Sequence, residues 1–326
     1  MSFKTVVLFV LISLVSTGNS QAQIESEPIS PTMRLGFVLP EGQKKLAVPF
    51  EIHNNLIVIK VLLNNALPLK FILDTGVRTT VLTEKSLTDL LNLTYSRIIT
   101  IPGAGGEKLV DAYVANNVMI NINGLIGRGH SMLVLEKDLL QLKNYLGVSV
   151  HGVLGYELFS RFIVDINYDR KTVTFHEPES YRKRKRYEAY PLIIEDTKPY
   201  YYVDIGIRGG KTYRGKFMLD TGASHSIMID ERSSSELYIP DPHIRSNLGR
   251  GLGGDVMGEI ARIDRAAIEH YEFEDVITTF PDEESYMIDF DSNYRNGTIG
   301  GGLMLSLIHI SEPTRLWSGS RMPSSG

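Results

Sequence analysis

Short apolar runs recur along the chain, each bounded by Gly, Asn or Asp. NLIVIKVLLN (55–64) and LKFIL (69–73) come first, then YYYVDIGI (200–207) and GKFML (215–219). Their length and their β-branched and aromatic content predict strands. TTVL (79–82) and HSIMI (225–229) predict the strands that leave the turns between them. RFIVDINYDRKTVTF (161–175) predicts two strands around an Asn-Tyr-Asp-Arg turn. Two mixed stretches, EKSLTDLLNL (84–93) and EKDLLQLKNYLG (136–147), predict short helices.

The pattern is stated twice. FILDTG (71–76) returns as FMLDTG (217–222), with Asp74 and Asp220 separated by 146 positions. The glycine-rich IPGAGGEK (101–108) is echoed by GRGLGGDVMG (249–258), and HGVLGYELF (151–159) by NGTIGGGLM (296–304). Three features in one order at nearly constant spacing predict a duplicated domain.

Composition adds limits. The chain has 326 residues, 43% hydrophobic and 22% charged, enough apolar material for one large or two moderate cores. A net charge of -4 gives no reason to expect nucleic acid as a partner. There is no cysteine, so the core must hold without disulfides and no lipid anchor through an N-terminal cysteine exists. Lys4, the apolar run from Val6 to Val15 and the small-residue end at Ala22 form the pattern of a cleaved secretory signal. That run is too short to cross a bilayer, so an exported, periplasmic or secreted protein without a membrane span is expected.

The expected organisation is a signal peptide over 1–22, an N-terminal segment over 23–46 and a first lobe over 47–178. A linker over 179–199 carries five consecutive basic residues, Arg182 to Arg186, and a second lobe covers 200–304. The last residues, 305–326, read as a translated sequencing-library adapter: LSLIHISEPTR and, further on, SRMPSS. On that reading the closing strands of the second lobe are missing, which leaves a sheet edge uncovered.

A single Asp-Thr-Gly can be a capped turn. Two copies, each with a glycine-rich segment and a late apolar-apolar-Gly, resemble the retropepsin-like aspartic peptidases over nearly the whole stretch from Ala47 to Met304. The resemblance implies an all-β molecule of two β-barrel lobes with a few short helices, both lobes in one chain and therefore a monomer. It implies catalytic aspartates at Asp74 and Asp220, sharing one proton and activating water. Thr75 and Thr221 would lock the two loops, Gly76 and Gly222 would let backbone amides reach the carboxylates, and Ser224 would bond Asp220. Gly155 and Gly300 would support the catalytic loops. Gly103, Gly105 and Gly106, with Gly251, Gly253 and Gly254, would form mobile flaps over an extended peptide or unfolded protein segment. Bacterial relatives of this type often carry a PDZ domain after the second lobe.

The first copy departs from the family pattern. Val77-Arg78 stands where the second has Ala223-Ser224. Arg78 either points outward or pairs with an acid, Asp74 included, which would lower that acid's pKa. This residue motivates a rival reading: an inactive peptide-binding or scaffold protein of the same fold. Other chemistries find little support. No close histidine pair suggests zinc, and DFDSNYRNG (289–297) has Tyr294 where a calcium loop needs glycine. No phosphate-binding GxxxxGK[ST] is present. No metal and no cofactor are expected, and the function expected is aspartic endopeptidase.

Overall fold

The computed structural model describes residues 35–91, 93–105, 109–183, 185, 188–284 and 294–311. The signal segment, Gly106, part of the basic run and most of the adapter-like tail lie outside these residues. From Leu35 onward the chain belongs to one compact unit.

The first half contributes β1 (Gly36–Val38), β2 (Lys45–His53), β3 (Leu56–Leu63), β4 (Leu67–Leu73) and β5 (Val81–Leu82). Then come α1 (Ser86–Asp89), β6 (Tyr95–Pro102), β7 (Leu109–Ile122), β8 (Leu125–Leu135) and α2 (Leu142–Leu146). It closes with β9 (Gly152–Leu154), α3 (Tyr156–Phe159), β10 (Ile163–Asn167) and β11 (Thr172–His176). The second half has β12 (Ile193–Glu195), β13 (Lys198–Gly206), β14 (Thr212–Leu219) and β15 (Ile227–Ile229). It continues with β16 (His243–Gly251), β17 (Gly254–Ile268), β18 (Tyr271–Pro281), β19 (Gly297–Ile299) and α4 (Gly301–Ser311).

The apolar runs became strands because alternate residues, and in β3 nearly all, are buried. The predicted helices shrink to single turns, α1 and α2. β1 comes from the segment before the first lobe, and β12 from the stretch read as linker. α4 takes in residues 305–311, the start of the adapter-like tail.

The first sheet runs β10-β11-β2-β3-β4-β9-β5-β8-β7-β6, with β1 on β8; the second runs β12-β13-β14-β19-β15-β18-β17-β16. Two corrections follow. The expected all-β double barrel is not what forms: the fold has mixed α/β content, and the sheets do not close into barrels. In the first sheet the β10–β11 hairpin pairs onto β2, so β10 and β6 end at opposite edges. The short β3–β7 and β13–β17 pairings bridge the two paths without joining their ends.

Two large cores sit beneath the sheets. The first gathers Phe37, Ile59, Phe71, Leu82 and Phe175 among others. The second gathers Val203, Phe217, Ile227, Ile263 and Phe280 among others. At 25 cal/mol per Å² of apolar surface, a buried Phe or Ile is worth about 1.5–3 kcal/mol, so these clusters anchor the strands that carry the site.

Candidate active site

In each half an apolar strand delivers Asp-Thr-Gly to the middle of the molecule. β4 pairs in parallel with β9, and β14 with β19. The Asp74 N–H donates to Leu154 O at 2.9 Å, and the Asp220 N–H to Ile299 O at 2.9 Å. Gly155 and Gly300 follow these acceptors with no room for a side chain. A Cβ on either would run into loop carbonyls, of Asp74 and Val77 in one case and of Ala223 and His225 in the other.

The two loops interlock. The Thr75 hydroxyl donates to Leu219 O at 2.7 Å and the Thr221 hydroxyl to Leu73 O at 2.8 Å. Each hydroxyl also accepts the other threonine's N–H, both at 3.1 Å. Four hydrogen bonds thus tie the end of each strand to the opposite loop. The Gly76 N–H donates to Asp74 Oδ1 at 2.6 Å and the Gly222 N–H to Asp220 Oδ1 at 2.9 Å. Each glycine also faces the opposite carboxylate: a Cβ on Gly76 would lie 3.0 Å from Asp220 Oδ2, and one on Gly222 would overlap the Asp74 carboxyl.

Asp74 is buried. Burial, the charge of Asp220 and a hydrogen bond to Asp220 push its pKa well above the ordinary aspartate range. The N–H groups of Gly76 and Val77 pull the other way and are outweighed. Two neighbouring carboxyl groups that cannot both ionise cheaply give a shift in this direction.

Arg78 does not enter the pair. Its Nη1 meets Asp196 Oδ1 at 3.1 Å on the surface, with the Arg78 side chain 68% exposed. Ser224, at the matching place in the second loop, accepts a 2.9 Å hydrogen bond at its backbone O from Asn55 Nδ2. Each loop is therefore held by a hairpin turn of the other half: Asn54-Asn55 on one side, Asp196-Thr197 on the other. All four turn residues have positive φ. Among the described residues the Ser224 hydroxyl makes no hydrogen bond to Asp220.

The glycine-rich segments are hairpin tips, β6–β7 and β16–β17, that meet above the aspartates. The Gly253 N–H donates to Ala104 O at 2.7 Å. A Cβ on Gly103 would lie 2.7 Å from Gly253 N, while Gly105 and Gly251 abut the backbone of Gly254 and Ala104 respectively. Only glycine lets the tips approach this closely. Gly106 is outside the described residues.

Sequence reasoning missed how the second tip is seated. Leu252 packs with the cluster of Val81, Val110, Ala112 and Leu135 in the first half. Arg250 Nε donates to Leu139 O at 2.7 Å, its Nη1 pairs with Asp255 at 2.6 Å, and the Tyr145 hydroxyl donates to Asp255 at 3.3 Å. His225 was also missed, since nothing in its neighbours marks it. It lines the cleft beside Ser224, and burial lowers its pKa to about 4 against the pull of the Asp220 charge. It is neutral in the ordinary pH range.

Beneath the tips lies a cavity of about 400 Å³ with Asp74 and Asp220 in its wall. A slightly larger one, about 520 Å³, lies near Phe50 and Asn121, away from the aspartates and without their chemistry.

An aspartyl protease family model matches residues 59–158 and 203–301, each segment holding one Asp-Thr-Gly. The chain belongs to the aspartyl protease family. Within solved structures, the crystal structure of a retropepsin-like aspartic protease from Rickettsia conorii aligns at 22% identity, with a TM-score of 0.29, over 41% of this chain and 90% of that one. No curated protein matches.

Proposed function

We propose that the chain is an aspartic endopeptidase that hydrolyses peptide bonds with water activated between Asp74 and Asp220. The observation that carries this reading is the pair of Asp-Thr-Gly loops interlocked by their threonines, with Asp74 and Asp220 both in the wall of a roofed cavity. With one proton on the pair, the ionised carboxylate takes a proton from water while the protonated one donates to the scissile carbonyl oxygen. Water attacks directly, and no covalent enzyme intermediate forms. The interlocked threonines hold the pair in place at no reorganisation cost during reaction. The tips must part for a peptide to enter, and their closure over an extended segment would exclude water.

The substrate proposed is an extended peptide or an unfolded protein segment. One chain supplies both aspartates, which supports a monomer as the working unit. The apolar N-terminal run supports export to the periplasm or beyond. No helix among the described residues is long and apolar enough to cross a membrane. The feature that motivated an inactive protein, Arg78, is engaged with Asp196 and away from Asp74.

The test is incubation of the mature protein with a mixed peptide library from acid to neutral pH, beside Asp74→Asn and Asp220→Asn. Mass spectrometry reads the new termini. Cleavage by the parent and its loss in both variants is expected. A folded parent that cuts nothing at any pH would end the endopeptidase reading.

A further inference from the structure

His225 stands five residues after Asp220, on the loop between β14 and β15. Its counterpart in the first half, 146 positions earlier, is Thr79. The two differ in place as well as in type. His225 lines the cavity that holds Asp74 and Asp220, and Thr79 does not.

One ring nitrogen is engaged and the other is not. The imidazole donates a hydrogen bond to the backbone of Thr298, on β19. Nε2 is buried and has no hydrogen-bond partner among the described residues, so the donor is Nδ1. A neutral ring with its proton on Nδ1 carries a lone pair on Nε2. The polar neighbours in the cavity wall do not supply the missing donor. The Thr279 hydroxyl donates to Ile227 O at 3.3 Å, and Asp220 is an acceptor, bonded at Oδ1 by the Gly222 N–H. A buried acceptor without a donor is unusual and unfavourable. One in the wall of a substrate cavity gains its donor when the cavity fills.

We propose that His225 is a specificity-determining residue, whose Nε2 accepts a hydrogen bond from an uncharged hydroxyl or carboxamide side chain of the bound peptide. This rests on the endopeptidase reading above. An apolar side chain at that place leaves the lone pair unsatisfied. A carboxylate brings no donor to Nε2 and is repelled by the aspartate pair. A cation would have to leave its water among Leu56, Ile72, Leu142 and Val153, which line the same cavity. A side chain with an uncharged donor meets none of these penalties.

The test uses peptides of one cleavable sequence, with Thr or Val, and Asn or Leu, placed in turn at each position on both sides of the scissile bond. Thr and Val have the same shape, so the way they fill the cavity cancels in their ratio. The assay runs at about pH 6, where the buried ring is neutral. At one position or more the parent is expected to cut the Thr peptide about tenfold faster in kcat/KM than its Val twin, and Asn faster than Leu at the same position. That is the discrimination of a site whose buried polar group goes unpaired with the wrong substrate. His225→Phe keeps a ring and removes Nε2, and is expected to bring both ratios to one or below. His225→Gln returns an acceptor at similar reach and is expected to recover part of the preference. Because each ratio compares two substrates on one protein, changes in folding or in the aspartates' acidity cancel. Equal rates on the parent's twins at every position, the result if an ordered water already satisfies Nε2, would overturn the proposal. So would a preference that survives His225→Phe. Fluorescence anisotropy of the same twins reads the preference without turnover. A parent that binds Thr and Asn peptides selectively but never cleaves would refute the endopeptidase reading and leave the His225 assignment standing.

Discussion

Gly222 and Gly76 are equivalent in sequence and unequal in space. A methyl group on Gly222 would stand 2.7 Å from Asp74 Oδ1 and closer still to Cγ and Oδ2. On Gly76 the closest atom is Asp220 Oδ2 at 3.0 Å. Asp74 cannot step aside cheaply, because it is buried and bonded to Gly76 N–H. Gly222→Ala must therefore displace the Asp74 carboxyl, on the order of 1 Å, which costs about 100-fold in rate when reacting groups are misplaced by that much. Overpacking costs about 1–3 kcal/mol of stability in addition. Gly76→Ala asks only for a shift of a few tenths of an ångström and is expected to lose less than about tenfold by the same reasoning. The assay is kcat/KM on one peptide for both variants, with a denaturant melt to confirm that each is folded. A folded Gly222→Ala protein within threefold of the parent, or Gly76→Ala falling further than Gly222→Ala, would refute the geometry.

Three further outcomes follow from the same site. Thr221→Val removes the donor to Leu73 O and the acceptor of the Thr75 N–H, and should cost about 1–3 kcal/mol in chemical denaturation; an unchanged midpoint would mean the interlock is not holding the loops. The raised pKa of Asp74 means the folded state holds a proton that the unfolded chain has released, so this residue's contribution falls as pH rises from the ordinary aspartate range through the raised value. Asp74→Asn should accordingly gain stability over the parent at pH 7 relative to pH 4 in parallel urea titrations, and peptide cleavage should fade over the same rise in pH; a stability difference that is flat in pH would contradict the coupled pair. Arg78→Ser breaks one exposed ion pair, worth about 0–1 kcal/mol, and should leave kcat/KM within about threefold; a large gain in activity would show that the guanidinium was restraining Asp74.

The strands and the two Asp-Thr-Gly loops were legible because their signals are local. Burial on a pleated sheet demands β-branched and aromatic runs, and a carboxylate on a tight turn demands its glycine. The helices at 84–93 and 136–147 were drawn too long because their apolar periodicity holds for little more than one turn. The barrel reading failed because closure depends on which strand pairs with which edge, and β11 pairs with β2 rather than across to β6. No local pattern encodes that choice.

The sequence by itself determined the pair of aspartates, the threonines and glycines around them, and the glycine-rich tips. Each of these is a residue type required by the backbone or the chemistry at its own position. Only the tertiary structure decided that Arg78 leaves the site for Asp196 and that Leu252 seats the second tip in the first half. These depend on contacts between residues more than a hundred positions apart, and such contacts are set by how two sheets pack.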